Sequence, residues 1–215
     1  VYLLPDTLTL QDGALVEPMA VAVQAVKEGD LRFGDTVAVF GAGPIGLLTI
    51  IAAKAAGASK VIALDLSESR LEKAKELGAT HIINSGKEDP VKAIRAIVPD
   101  GVDVTFEVAG VTQTYIQSID ATRARGTMVI VSIFARPIEW NPLHLTNTGV
   151  KITSSIAYSP TSFQQTVDLM GTGQLKPQGI ITSQIELDDI VEKGFEALTT
   201  DKSQSKILVK LSGEK

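Results

Sequence analysis

Gly41-Ala42-Gly43-Pro44-Ile45-Gly46 follows the β-branched and aromatic run Thr36 to Phe40 and opens an apolar stretch, Pro44 to Ala56, that stops at Gly57. The six residues fit G-x-G-x-x-G. A strand signal before the motif and a helix signal after it turn a weak pattern into a strong one. The first glycine permits a tight turn, the second lets backbone approach a pyrophosphate, and the third lets the helix pack closely on the strand. Free N–H groups at the helix start, with the positive end of its dipole, suit phosphate charge. Gly41, Gly43, Pro44, Ile45 and Gly46 are therefore candidates for holding a dinucleotide.

Working outward, the next strand, Val61 to Asp65, places a carboxylate nineteen residues after Gly46. At that point a carboxylate can accept hydrogen bonds from an adenosine ribose and repels a 2′-phosphate, so NAD is expected over NADP. Asp65 could instead cap the following helix, but Ser67 lies nearer its start. Leu66 is placed at the same site. Arg70, one turn into the helix, either covers the adenine face or stands in solvent.

Strand and helix signals go on alternating: helix Glu68 to Leu77, strand His81 to Ile83, helix Pro90 to Ile97, strand Val102 to Val108, helix Gln113 to Ala121, strand Thr127 to Ser132. Upstream, Pro18 reads as the first position of a helix over Met19 to Lys27. Lys151 to Ile156 reads as a sixth strand after a loop holding Pro137, Trp140 and Pro142. The expected fold is α/β, a Rossmann-type doubly wound parallel sheet. Beyond Tyr158 the pattern changes to helix Phe163 to Met170, strand Ile180 to Ile185, helix Asp188 to Leu198 and strand Ile207 to Leu211, a C-terminal α/β extension.

Composition narrows the function. With 215 residues, 44% hydrophobic and 21% charged, the chain is an ordinary globular one. Its net charge of −5 argues against a nucleic-acid backbone or an anionic membrane as the main partner. The uncharged run Val37 to Ala53 is interrupted by Gly41, Gly43, Pro44 and Gly46, which reads as strand, turn and buried helix rather than a membrane span. No secretory signal is evident at the N-terminus, and a cytoplasmic location is the default expectation. The absence of cysteine excludes disulfides and thiolate metal sites within the chain. His81 and His144 have no second ligand at metal spacing, and no Ser-His-Asp arrangement supports hydrolysis.

Taken with the glycine loop, Gly13-Ala14-Leu15-Val16-Glu17-Pro18, Asp65-Leu66-Ser67 with Arg70, Phe106-Glu107-Val108-Ala109-Gly110 and Ser155-Ile156-Ala157-Tyr158 resemble the zinc-dependent medium-chain alcohol and polyol dehydrogenases, and within them the enzymes of 2,3-butanediol. The resemblance covers nearly the whole chain. It implies hydride transfer between a small secondary alcohol or vicinal diol, of the 2,3-butanediol and acetoin type, and NAD, with zinc binding the substrate oxygen in the intact enzyme. It also implies that Val108 and Ala109 line the adenosine side. Val131, Ser132, Ile133, Ser155 and Ala157 would hold the nicotinamide end, largely through backbone groups. Glu17 stands where the family places an acid near the zinc, though a first-turn helix carboxylate is the simpler reading of it.

By the same resemblance, residues 1–17 are the remnant of a catalytic domain, 18–157 the dinucleotide-binding domain and 158–215 the C-terminal segment of the catalytic domain. The family's N-terminal catalytic domain, with its Cys and His, is not in this sequence, so the chain is expected to be inactive alone. A homodimer or homotetramer is implied, joined at the edge strand Lys151 to Ile156. Sorbitol, threonine and simple alcohol dehydrogenases share this cofactor domain and stay open as alternatives. A non-catalytic NAD-binding module stays open too, whereas a methyltransferase is disfavoured because its loop does not open a helix in this pattern.

Overall fold

A computed structural model describes residues 1–201 and 203–211. A long helix α1 (Leu10–Glu28) leads into β1 (Thr36–Phe40), α2 (Pro44–Ala55), β2 (Lys60–Asp65), α3 (Glu68–Glu76), β3 (His81–Asn84), α4 (Pro90–Ile97), β4 (Val102–Glu107), α5 (Thr112–Ala121) and β5 (Thr122–Ile130). A short α6 (Leu143–Thr148) precedes β6 (Lys151–Ser154). The six strands form one sheet in the order β3-β2-β1-β4-β5-β6. Every neighbouring pair in it is parallel. The strand order reverses between β1 and β4, and in such sheets ligands bind in the crevice at the carboxyl ends of the strands flanking the reversal.

Side-chain alternation along the strands explains why both faces are covered. Val37, Val39, Val61, Ala63, Val104 and Phe106 join one core with Leu15, Val23, Leu48 and Met170 from α1, α2 and a later helix. Ala38, Phe40, Ile62 and Leu64 point the other way and meet Ile94 of α4 and Ala121 of α5. Strands buried on both faces read as continuous apolar runs, as β1 and β2 do here. A third cluster, Ile119, Met128 and Val150, sits beneath Tyr115, Trp140 and Leu145.

The C-terminal part comprises α7 (Pro160–Gly171), which packs on α1, and a second sheet of β7 (Ile181–Glu186) and β8 (Lys206–Lys210), also parallel. Among the described residues no helix is long and apolar enough to cross a membrane.

Three elements depart from the sequence expectation. The first helix starts at Leu10, not Met19, and runs unbroken past residue 17, with Pro18 buried in its interior. Its true start is a capping box: the Thr9 hydroxyl accepts from the Asp12 N–H at 3.1 Å and Asp12 accepts from the Thr9 N–H at 2.8 Å. Proline inside a helix removes one hydrogen bond and costs roughly 3 kcal/mol. Burial of Leu15, Val16 and Met19 on both sides of it offsets that loss. The loop before β6 contains α6, which is too short and too polar to show helical periodicity. The helix expected over Asp188 to Leu198 is a 3-10 turn (Leu187–Asp189), a π-helical segment (Ile190–Glu196) and a single α turn α8 (Ala197–Thr200).

Candidate cofactor site

Each glycine of the loop meets a different surrounding. Gly41 has φ +107, and a Cβ there would lie 3.2 Å from the Ala109 nitrogen after β4. At Gly46 a Cβ would fall 1.9 Å from the Gly41 carbonyl oxygen, so the helix can approach the strand only without a side chain. Around Gly43 nothing lies within 4 Å. The middle glycine is therefore not required by the protein's own packing; the space above it is open. Pro44 occupies the first turn of α2, where its missing N–H costs nothing. The Leu47 N–H already donates to the Gly43 carbonyl at 2.9 Å. The earlier N–H groups of such a turn have no acceptor within the helix. This arrangement fits a pyrophosphate.

Asp65 closes β2 and ties three backbone groups together. One carboxylate oxygen accepts from Leu66 at 2.8 Å and Ser67 at 3.0 Å, and the other accepts from the Ala42 N–H inside the glycine loop at 2.8 Å. Arg70 stands 3.8 Å away, and the Asp65 side chain keeps 11% of its exposure. A carboxylate offers about four lone-pair sites, so three backbone donors leave capacity for a ribose hydroxyl. Asp65 thus fastens the turn into α3, close to its capping reading, and also braces the glycine loop through Ala42.

A cleft of about 300 Å³ opens beside these residues, lined by Gly41, Asp65, Leu66, Arg70 and Ala109 among others. Leu66 and Val111 face it with exposed apolar side chains. Val111, Gln113, Thr114 and Gln117 were not singled out from sequence. They come from the start of α5, and the available signal was that this helix begins next to the strand-order reversal.

Val108 follows β4 and its N–H donates to the Phe40 carbonyl at 2.9 Å. Val131 and Ser132 follow β5, Ser155 follows β6, and the Ser155 N–H donates to Ile130 at 2.9 Å. All sit at the carboxyl ends of their strands, outside the lining of the adenosine-sized cleft. Ile133 is exposed, and Ala157 adopts φ +53, a strained conformation for a residue with a Cβ. The Ser155 hydroxyl is buried without a partner.

Glu17 lies exposed on α1. It is close enough to Tyr158 that, after partial burial, its charge and a hydrogen bond from the phenol raise the Tyr158 pKa. Among the described residues no three His, Cys, Asp or Glu side chains come together as a metal site. A catalytic zinc takes about three protein ligands. The donors among the described residues do not fit zinc by themselves.

Glu107 was also missed. It is fully buried at the end of β4, and its carboxylate accepts from the N–H groups of Ala109 at 3.1 Å and Gly110 at 2.9 Å. An acid closing a strand whose Val102, Val104 and Phe106 are buried was the signal.

Comparison with known proteins agrees with this geometry. Residues 44–172 match the family model described as zinc-binding dehydrogenase. (R,R)-butanediol dehydrogenase of Bacillus subtilis (strain 168) is 44% identical over 209 residues, 97% of this chain and 60% of that protein. Sorbitol dehydrogenase of Rattus norvegicus is 36% identical, over 89% of this chain and 54% of its own length. The crystal structure of the B. subtilis 2R,3R-butanediol dehydrogenase superposes with a TM-score of 0.93, covering 98% of this chain and 60% of that one. A Sinorhizobium meliloti structure bound to NADP and titled a zinc-binding dehydrogenase superposes with a TM-score of 0.90 at 31% identity, covering 98% of this chain and 62% of that one. The chain thus spans little more than half the length of these relatives. Its fold, its glycine loop and its sequence together establish that the chain belongs to the zinc-binding dehydrogenase family.

Proposed function

We propose that the chain is the cofactor-holding part of an NAD-dependent dehydrogenase acting on a small secondary alcohol or vicinal diol of the 2,3-butanediol and acetoin type. The observation that carries the reading is the open space over Gly43 between an Asp65-braced loop and a helix start. In this reading the backbone from Gly41 to Gly46 takes the pyrophosphate, and Asp65, Leu66, Arg70 and Ala109 take the adenosine, with Val108 beside them at the end of β4 rather than in the cleft lining. Val131, Ser132, Ile133, Ser155 and Ala157 take the nicotinamide end. A bound nicotinamide supplies the hydride acceptor. Glu17 would stand near a zinc ion whose other ligands come from outside this chain. Residues 1–17 and 158–215 would belong with that catalytic part, and residues 18–157 with the cofactor.

The names of the relatives, a butanediol and a sorbitol dehydrogenase, support a small hydroxylated substrate. A sorbitol-type substrate is the second reading, favoured by the 36% identity to the rat protein. NAD is proposed over NADP because a 2′-phosphate would meet the Asp65 carboxylate, although a relative binds NADP.

Fluorescence titration of the protein with NADH and NADPH tests this. NADH should bind at least about tenfold more tightly, the scale of one lost charge-assisted hydrogen bond. Asp65→Ser should narrow the gap. Equal affinities would remove the ribose role of Asp65; binding of neither, with S-adenosylmethionine bound instead, would overturn the whole reading.

A further inference from the structure

Glu107 is buried at the end of β4, and none of the chemistry above uses it. One carboxylate oxygen accepts from the Ala109 and Gly110 N–H groups at 3.1 and 2.9 Å and from the Thr114 hydroxyl at 2.6 Å. The other accepts from the Ser132 hydroxyl. Its backbone carbonyl also accepts from the Val131 and Ser132 N–H groups, at 2.9 and 3.2 Å. These side-chain partners are all uncharged. A buried carboxylate without a cation is costly to desolvate, and an apolar residue would serve a strand interior better.

What the donors share is position. Ala109, Gly110 and Thr114 follow β4, whereas Ser132 follows β5. Ala109 abuts the glycine loop at Gly41, and Thr114 lines the adenosine-sized cleft. Gly110 adopts φ +74, and a Cβ there would meet the Ile133 carbonyl at 2.9 Å, so the two loops already touch. Asp65 links the loop after β2 to the loop after β1 through Ala42. Glu107 makes the matching link between the loops after β4 and β5.

We propose that Glu107 is a positioning residue that locks the β4 and β5 loops to one another and so sets the adenosine half of the cofactor site in register with the nicotinamide half. The proposal rests on the cofactor reading above. It separates two kinds of ligand: one that spans both halves needs the register, and one that fills only the adenosine half does not.

Affinities for NADH and for AMP, with thermal unfolding of each protein, test it. In Ser132→Ala, which removes the hydroxyl bond to the Glu107 carboxylate and leaves the backbone bonds from Val131 and Ser132 to the Glu107 carbonyl, NADH should bind about tenfold more weakly and AMP within about threefold of the parent protein. In Glu107→Ala the loss for NADH should exceed the loss for AMP by a similar factor. Glu107→Gln should recover most of the NADH affinity, because its amide oxygen accepts from Ala109 and Gly110 while its NH₂ donates to Ser132. Should Glu107→Ala fail to fold, Ser132→Ala and Glu107→Gln carry the test. Equal losses for NADH and AMP, or unchanged NADH affinity in folded variants, would overturn the proposal and leave Glu107 a purely structural residue. Failure of the unsubstituted protein to bind NADH at all would overturn the cofactor reading beneath it.

Discussion

At the scale of single residues, Gly43 and Gly46 belong to one motif but owe their identity to different demands. Gly46 cannot carry a Cβ because the Gly41 carbonyl oxygen would be 1.9 Å away, and neither backbone can give way. Gly43 has φ −71, where any residue is comfortable, and no atom within 4 Å of a would-be Cβ. Gly43→Ala should therefore fold with its stability changed by no more than about 0.5 kcal/mol, the usual range for a tolerated exposed substitution. It should nevertheless lose NADH affinity by about tenfold or more, since the methyl group takes the space offered to phosphate. Gly46→Ala should lower thermal stability as well as binding. Thermal unfolding and NADH titration of the two variants separate these outcomes; unaltered NADH binding by Gly43→Ala would mean that the open space is not where a cofactor goes.

At the scale of elements, the end of the sheet opposite the site is fastened by another acid. Asp103 at the start of β4 accepts from the Thr36 N–H and hydroxyl of β1, each at 2.8 Å, and from Arg123 of β5 at 2.7 Å. Burial raises its pKa, but the hydrogen bonds from Thr36 and Arg123 and the charge of Arg123 outweigh burial and hold it below the ordinary 3.8. A carboxyl whose pKa is depressed on folding stabilises the fold above its unfolded pKa, and that stabilisation is lost as the pH falls through the folded value. Asp103→Asn should thus cost roughly 1–3 kcal/mol near pH 7 by losing charge-assisted bonds. The gap from the parent protein should shrink as the pH falls from the ordinary carboxylate range through the depressed folded value of Asp103, because there Asp103 takes up a proton and loses its charge-assisted bonds, whereas Asp12 and other carboxylates titrate in both proteins and cancel. Denaturant unfolding at neutral and acid pH measures it, and a gap that does not change with pH would remove the Asp103 charge from the account. The edge strand β6 pairs only with β5 among the described residues, and Ile156 just beyond it is exposed. A free edge of β-branched residues favours pairing with a second copy, so light scattering at high micromolar concentration should give a mass above that of one chain. A strictly monomeric mass would count against that pairing.

The same elements show what could be read from sequence. Strands β1 and β2 were legible because burial on both faces writes itself as unbroken apolar runs, β4 because Val102, Val104 and Phe106 alternate with polar residues, and the glycine loop because its turn restricts residue choice directly. The start of α1 was not, since Pro18 carries a local start signal that tertiary packing overrides. The segment after Leu187 was not, because its apolar residues Leu187, Val191, Phe195 and Leu198 are spaced for a helix face yet stand exposed in a mixed 3-10, π and α turn. Within the site, Gly41 and Asp65 were legible through spacing, whereas Gln113, Thr114 and Gln117 reach the cleft only through the strand order, which no local pattern records.

At the scale of the whole molecule, cofactor binding and turnover make different demands, and on the proposed reading this chain meets only the first. The glycine loop, Asp65 and the cleft between β2 and α5 lie within one sheet's carboxyl edge, so on the proposed reading NADH should bind with nothing supplied from outside. Oxidising an alcohol further requires that its proton be lost and its oxygen be held close to the nicotinamide, which water alone does poorly at neutral pH. Zinc answers that need in the relatives' family, but it takes about three protein ligands. The sequence has no cysteine and two histidines, and no cluster of ligating side chains forms among the described residues. Glu17 alone is a single exposed carboxylate, too weak to retain a metal against water. The B. subtilis butanediol dehydrogenase is matched over only 60% of its length, so ligands can reside in the remainder. The expected result is that purified chain, NAD, zinc and 2,3-butanediol give no steady formation of NADH, although the same sample binds NADH in titration. Turnover that zinc restores and Glu17→Ala abolishes would show that this chain assembles a complete metal site, and would move the catalytic centre onto α1 and its Tyr158 neighbour.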